Sequence, residues 1–184
     1  MNHPYLSILN TDLSKENMVI DKERMKTVKS INKWFTHSPP VIPFPVFSKK
    51  VKPGYRTLFW GPHGSGKKSF TAHIAGELNK DAYTIDVSMI VSKYIGETEK
   101  NLELLFARAE DKGWILFFDE ADALFGKRTN VKDSHDRYAN QAIDYLLQRI
   151  EDFNGLIILS TNMKNNIDSA FVRRFNSILH FPSC

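Results

Sequence analysis

The residues with the most evident chemistry begin at Gly61. Gly61-Pro62-His63-Gly64-Ser65-Gly66-Lys67 fits the pattern G-x-x-x-x-G-K. In that pattern glycines let the backbone curl until several N–H groups point inward, and the N-terminus of the following helix adds partial positive charge. The ligand such a cradle holds is a phosphate chain, with Lys67 placed to reach its outer phosphates. The full pattern continues with Ser or Thr, whose hydroxyl helps to hold Mg2+. This chain has Lys68 there, and Ser69 only one residue later. One step along a helix turns a side chain by roughly 100°, so Ser69 does not simply take over. The expectation is a phosphate cradle working by charge, with a second ammonium close to the phosphates and metal-dependent hydrolysis weakened.

A second group lies downstream, where the apolar run Trp114–Phe118 ends in Asp119 and Glu120. At the carboxyl end of a buried parallel strand, Asp119 is placed to bind Mg2+ directly or through water. Glu120 is placed to orient and deprotonate a water attacking the terminal phosphate. A polar exit from a buried strand is the plain alternative, and the loop upstream favours the chemical reading. His63 reads as a tolerated passenger in the loop. The six histidines show no pairing that suggests zinc.

The elements that would carry these residues follow from periodicity. Met25, Val28, Ile31 and Phe35 recur on one face of a helix over residues 21–35. Four prolines between Pro39 and Pro45 then exclude helix and central strand. Strands are expected at Thr57–Trp60, Ala82–Asp86, Trp114–Phe118, Leu156–Ser160 and Ile178–Phe181. Helices are expected near 67–79, 97–112, 135–153 and 167–175, with Leu102, Leu105, Phe106 and Ala109 on one face of the second. Five short strands alternating with helices predict an α/β domain with a mostly parallel sheet, whose ligands sit at the carboxyl ends of the strands. Residues 1–50 read as an N-terminal helix with a Pro-rich arm, and 51–184 as the core domain.

Composition narrows the class. A chain of 184 residues, 42% hydrophobic and 12% aromatic, is not a disordered protein. At ~150 residues per domain it holds one domain, or one with an appendage. The net charge of +4, without a long Lys/Arg run, gives no reason to expect nucleic acid as a partner. The lone Cys184 cannot form an internal disulfide. No apolar run approaches the ~20 residues that span a bilayer. Met1–Asn10 lacks the basic and apolar regions of a secretory signal, so a soluble cytoplasmic protein with no membrane partner is expected.

Taken in order, the motifs resemble those of the AAA+ ATPases across roughly residues 20–182. Gly61–Lys67 is similar to Walker A and Phe117-Phe118-Asp119-Glu120 to Walker B. Leu159-Ser160-Thr161-Asn162 is similar to the sensor-1 strand, and Asp168–Phe175 to the arginine-finger segment. Ser92–Lys100 resembles the first pore loop and the helix after it in the protein-remodelling branch. A narrower resemblance, to the ATPase associated with phage-tail-like contractile injection systems, rests on Lys52–Arg56, Ser88–Lys100 and Phe118–Arg128. The resemblance implies a P-loop NTPase α/β/α sandwich with a five-stranded sheet, and ATP and Mg2+ as cofactors. Phosphate contacts would come from Gly61, Pro62, His63, Gly64, Ser65, Gly66, Lys67, Lys68 and Ser69. It implies that Asn162 polarises the attacking water. Arg173 and Arg174 would complete a neighbouring subunit's site, and Lys93, Tyr94, Ile95 and Gly96 would grip a polypeptide in the pore of a ring. The partners implied are other copies of the chain, hexameric if a lid is supplied, and a protein substrate. Gly126–Arg137 reads as a second pore-facing loop or a plain surface loop. The sequence reaches Cys184 just after the last strand, so a core without the small helical lid is expected, as a fragment, a truncated gene or a lidless relative. Asp119-Glu120-Ala121-Asp122 also spells a helicase motif, which the neighbouring motifs fit less well.

Overall fold

Short apolar segments buried on both faces pair side by side to form the centre of the molecule. A computed structural model describes residues 6–9, 20–37, 54–93, 98–125, 134–162 and 172–183. In chain order the elements are β1 (Leu6–Ile8), α1 (Lys22–His37), β2 (Tyr55–Trp60), α2 (Lys67–Leu78), β3 (Ala82–Asp86) and α3 (Val87–Lys93). They continue with α4 (Thr98–Lys112), β4 (Ile115–Asp119), α5 (Asp122–Phe125), α6 (Ser134–Asp152), β5 (Leu156–Thr161) and β6 (Ser177–His180). The strands form one sheet in the order β1-β3-β4-β5-β2-β6. Every pairing is parallel except that of β1 with β3.

All six residues of β5 and four of the five in β4 are buried, so both faces must be covered. Alternation divides them. Leu58, Leu116, Phe118, Ile157 and Leu159 face a cluster with Val87, Ile90, Leu102, Phe106, Leu146 and Ile150 of α3, α4 and α6. Tyr55, Phe59, Ile115, Phe117, Leu156 and Ile158 face the opposite cluster with Val28 and Ile31 of α1 and Phe70, Ile74 and Ala75 of α2. The result is the expected α/β/α sandwich.

The sheet has six strands where five were expected. β1 is too short to show an alternating pattern, and it forms by pairing antiparallel along the edge of β3, with Ser7 opposite Thr84. Leu9, just beyond it, is 2% exposed. On α4 the whole expected face, Leu102, Leu105, Phe106 and Ala109, is buried. On α1, Val28 and Ile31 are buried and Phe35 packs at the margin, whereas Met25 is exposed. The neighbouring Arg24 instead lays its guanidinium over Phe181, 4.6 Å from the ring centroid. Neither α3 nor α5 was expected. Each directly follows a strand end, and Asp86 starts α3 by accepting from Ser88 Oγ at 2.6 Å and the Met89 N–H at 3.1 Å. The expected helix near 167–175 lies largely outside the described residues.

The amino end of the sheet is tied by a buried arginine. Arg56 is 5% exposed, and its Nε donates to the Ile150 carbonyl at 2.8 Å while an NH2 group donates to the Glu151 carbonyl. These are last-turn carbonyls of α6 that lack helical partners. Burial draws the Arg56 pKa below its ordinary value, against the opposing effect of Asp152. Among the described residues no helix is long and apolar enough to cross a membrane.

Ile31 is the test of how firmly α1 belongs to this core. Ile31→Ala is expected to lower unfolding stability by about 2–5 kcal/mol, whereas exposed Met25→Ala changes it by under ~0.5 kcal/mol. Urea titrations of the two variants compare them directly.

Candidate nucleotide-binding site

Three adjacent strands, β4, β5 and β2, end at one edge of the sheet, and their exits carry the chemistry. β2 runs into the loop 61–66. Gly61 has φ +149°, and a Cβ there would lie 2.0 Å from the Phe181 carbonyl oxygen, so only glycine fits beside the chain leaving β6. Gly66 caps α2 at φ +88° with no side-chain cap, which leaves the helix's first N–H groups to a ligand.

Lys67, the first residue of α2, is 7% exposed. Its Nζ donates to the carbonyls of Gly61 at 2.5 Å and Pro62 at 2.8 Å, and to Asn162 Oδ1 at 3.3 Å. Burial draws its pKa below the usual lysine value, and the carboxylates of Asp119 and Asp122 oppose that. Asn162 leaves β5 and faces the loop. Its Nδ2 lies 2.8 Å from His63 Nε2, a hydrogen bond that the neutral imidazole accepts. His63 is therefore a partner of Asn162, not a passenger.

Asp122, at the start of α5, holds this arrangement in place. One of its oxygens accepts from the Thr161 hydroxyl, and the other accepts the Asn162 backbone N–H at 3.2 Å. The Ala121 N–H donates to the Ser160 carbonyl at 2.8 Å, so the exits of β4 and β5 are locked together. Asp122 was missed as a site residue. Its signal was the fourth position of Asp119-Glu120-Ala121-Asp122.

Two cavities adjoin here. The first, about 290 Å³, is lined by His63–Ser69 together with Phe117, Asp119, Ser160 and Asn162. The second, about 220 Å³, is lined by Ser7, Lys68, Thr84, Asp86, Met89, Asp119 and Glu120. Lys68 and Asp119 border both. Glu120 opens onto the second only, at φ +53°, a left-handed conformation that costs a non-glycine residue roughly 1–2 kcal/mol. Its N–H donates to Asp119 Oδ1 at 3.1 Å.

Arg173 and Arg174 stand elsewhere. They precede β6, near the amino end of β2, where the Asn176 N–H bonds the Arg56 carbonyl at 2.8 Å. Arg174 is paired with Glu151, and Arg173 is exposed. Neither borders either of these two cavities. Tyr94, Ile95 and Gly96 lie outside the described residues, as do residues 126–133, and Lys93 is the last residue of α3.

A strand ending in a Gly-rich loop and helix, an acidic strand end beside it, and an asparagine reaching across are features shared with a known family. Residues 57–183 match the ATPase family associated with various cellular activities (AAA). The chain belongs to this AAA ATPase family. It is 35% identical over 146 residues to vacuolar protein sorting-associated protein 4B of Mus musculus, covering 77% of this chain and 33% of that one. It is 34% identical over 128 residues to 26S proteasome subunit RPT4 of Saccharomyces cerevisiae, covering 67% and 29%. The chain thus spans about a third of the length of these curated relatives. Among solved structures, the FIGL-1 AAA domain superposes with a TM-score of 0.71 at 24% identity, covering 97% of this chain and 57% of that one. The likeness extends the fold assignment over nearly all of this chain.

AAA ATPases bind ATP, typically with Mg2+. The donor chemistry here does not fit that ion. The hydroxyl position holds the Lys68 ammonium, which borders the same cavity as Asp119.

Two measurements probe the interlock. Asp122→Ala removes an acceptor from the Thr161 hydroxyl and from the Asn162 N–H, and is expected to cost about 1–3 kcal/mol in urea unfolding. Asp119→Asn removes a charge that favours the Lys67 ammonium, so a nitrogen-detected NMR titration of Nζ should show its pKa moving further down.

Proposed function

We propose that this chain binds ATP in the first cavity and hydrolyses it, and that turnover drives the remodelling or threading of a protein partner. One observation carries the reading: Lys67, Asp119 and Asn162 border a single cavity at the start of α2, with Glu120 on the adjoining one. In this reading the backbone of His63–Gly66 and Lys67 hold the phosphates. Asn162, oriented by His63 and Asp122, contacts the terminal phosphate. Glu120 accepts the proton of an attacking water held in the second cavity. Water is the nucleophile, its oxygen bonds the terminal phosphorus, and ADP leaves.

Arg173 and Arg174 are proposed to serve the nucleotide of a neighbouring copy. Their position away from this chain's own cavities supports a role in trans. A ring of copies, with Lys93, Tyr94, Ile95 and Gly96 gripping a polypeptide, is part of the same proposal. So is an association with contractile injection systems, which rests on the sequence resemblance of Lys52–Arg56, Ser88–Lys100 and Phe118–Arg128. Relatives named for protein sorting and the proteasome support a protein as the object of the work.

Lys68 favours a second reading, in which the chain binds nucleotide and assembles with little hydrolysis. Phosphate release separates the two. Wild type should release phosphate from ATP, and Glu120→Gln should release it at least ~100-fold more slowly with nucleotide affinity kept. Equal release from both would leave only the assembly reading.

A further inference from the structure

We propose that Lys68 is a built-in counter-cation for the bound phosphates, so that this chain takes up nucleoside di- and triphosphates without a divalent metal ion. The inference rests on the reading of the first cavity as a nucleotide site and goes beyond it, because it assigns the charge that a metal ion would otherwise bring.

The placement of Lys68 is the starting point. It is the second residue of α2, one step past the buried Lys67, and its exposed side chain borders both cavities. Among the described residues Asp119 is the acidic residue that borders both, and Asp86 and Glu120 join it in the second cavity. Asp86 and Asp119 are register partners at the ends of β3 and β4, which puts their backbones about 4.8 Å apart. A nucleotide entering the first cavity therefore brings phosphate oxygens toward a wall of carboxylates. Some cation has to stand between the two. In hydroxyl-bearing loops that cation is Mg2+, held partly by the residue at the position of Lys68.

Two further observations point to the ammonium. Lys68 makes no ion pair or hydrogen bond among the described residues, so its three N–H donors are uncommitted. Thr84 borders the second cavity, is 7% exposed, and its Oγ1 has no hydrogen-bond partner among the described residues, so it is placed to bond a water in that cavity. The ammonium turned between the cavities meets all of these needs at once. It donates to phosphate oxygens on one side and to Asp119 on the other, directly or through a water bonded to Thr84 Oγ1. A divalent ion placed in the same space would be repelled by that ammonium and would lack the hydroxyl ligand.

Calorimetric titration of ADP into the full chain tests this, once in excess EDTA and once with Mg2+. Wild type should bind with affinities within about threefold of each other in the two buffers. Lys68→Thr, which restores the hydroxyl and removes the charge, should bind at least ~tenfold more weakly in EDTA and recover when Mg2+ is added. Lys68→Met, lacking both charge and hydroxyl, should be weak in both buffers. Lys68 is exposed, so thermal unfolding of the three proteins should coincide. Wild-type binding at least ~tenfold tighter with Mg2+ would overturn the inference while leaving the nucleotide site intact. So would undiminished binding of Lys68→Thr in EDTA. Failure of wild type to bind in either buffer, or undiminished binding by Lys67→Ala, would remove the site itself and the inference with it.

Discussion

An ammonium group withdrawn from water sets the terms for the rest of the site. A buried and unpaired charge costs several kcal/mol, so Lys67 has to be surrounded by acceptors. The nearest are the carbonyls of Gly61 and Pro62, which are part of the loop itself. For those carbonyls to face Nζ, the chain must turn sharply at Gly61, directly against the Phe181 carbonyl. That contact requires β6 to lie beside β2. The third acceptor, Asn162 Oδ1, requires β5 on the other side, with Asp122 fixing how Asn162 leaves the strand. The strand order of half the sheet is thus coupled to the solvation of one nitrogen. A phosphate chain in the first cavity would compete with the loop carbonyls for the same N–H donors. Binding is therefore an exchange of partners by a charge already buried, with little new desolvation of Lys67.

Much of this was legible in the sequence because local patterns carried it. The loop glycines, the four-residue steps of α4 and the apolar run into Asp119 each name an element and its orientation. β3 was expected with the bounds it has, Ala82–Asp86. What escaped was set by pairing across the fold. β1 exists because β3 offers it an edge, and three residues carry no period. Met25 kept the spacing of its helix but lies beyond the rim of the core, where Arg24 covers Phe181 instead. His63 reads as incidental until β5 brings Asn162 within 2.8 Å of its ring. Asp122 is one letter of a motif until its two oxygens meet Thr161 and Asn162. Side chain to side chain contacts between separate strand exits leave no periodic trace.

The two ends of the sheet are built on different electrostatics. At the carboxyl end, Asp86, Asp119, Glu120 and Asp122 face Lys67 and Lys68 around open cavities. At the amino end, Arg56 is committed to the carbonyls that close α6, and Arg174 to Glu151. A six-residue strand separates the ends by roughly 17–20 Å, more than an arginine side chain spans. In the proposed assembly Arg173 would then reach the nucleotide of another copy. The parallel sheet enforces this division, because loops leaving the strands gather at one edge and those entering gather at the other.

The substitution at Lys68 acts differently on binding and on turnover. Holding phosphates asks only for positive charge at a fixed place, and on the proposed reading an ammonium anchored on α2 would supply it without the cost of capturing an ion. Moving a phosphoryl group asks for more. Negative charge has to be stabilised as it gathers on the leaving oxygen, and a metal ion would supply that stabilisation as a Lewis acid. An ammonium offers hydrogen bonds in fixed directions and a single charge. In the proposed reaction, part of the work at the transition state would then fall to groups that reach the terminal phosphate from elsewhere, Asn162 within the chain and an arginine from a neighbouring copy. A loop that carried its own counter-cation would make occupancy independent of metal and leave turnover more dependent on assembly.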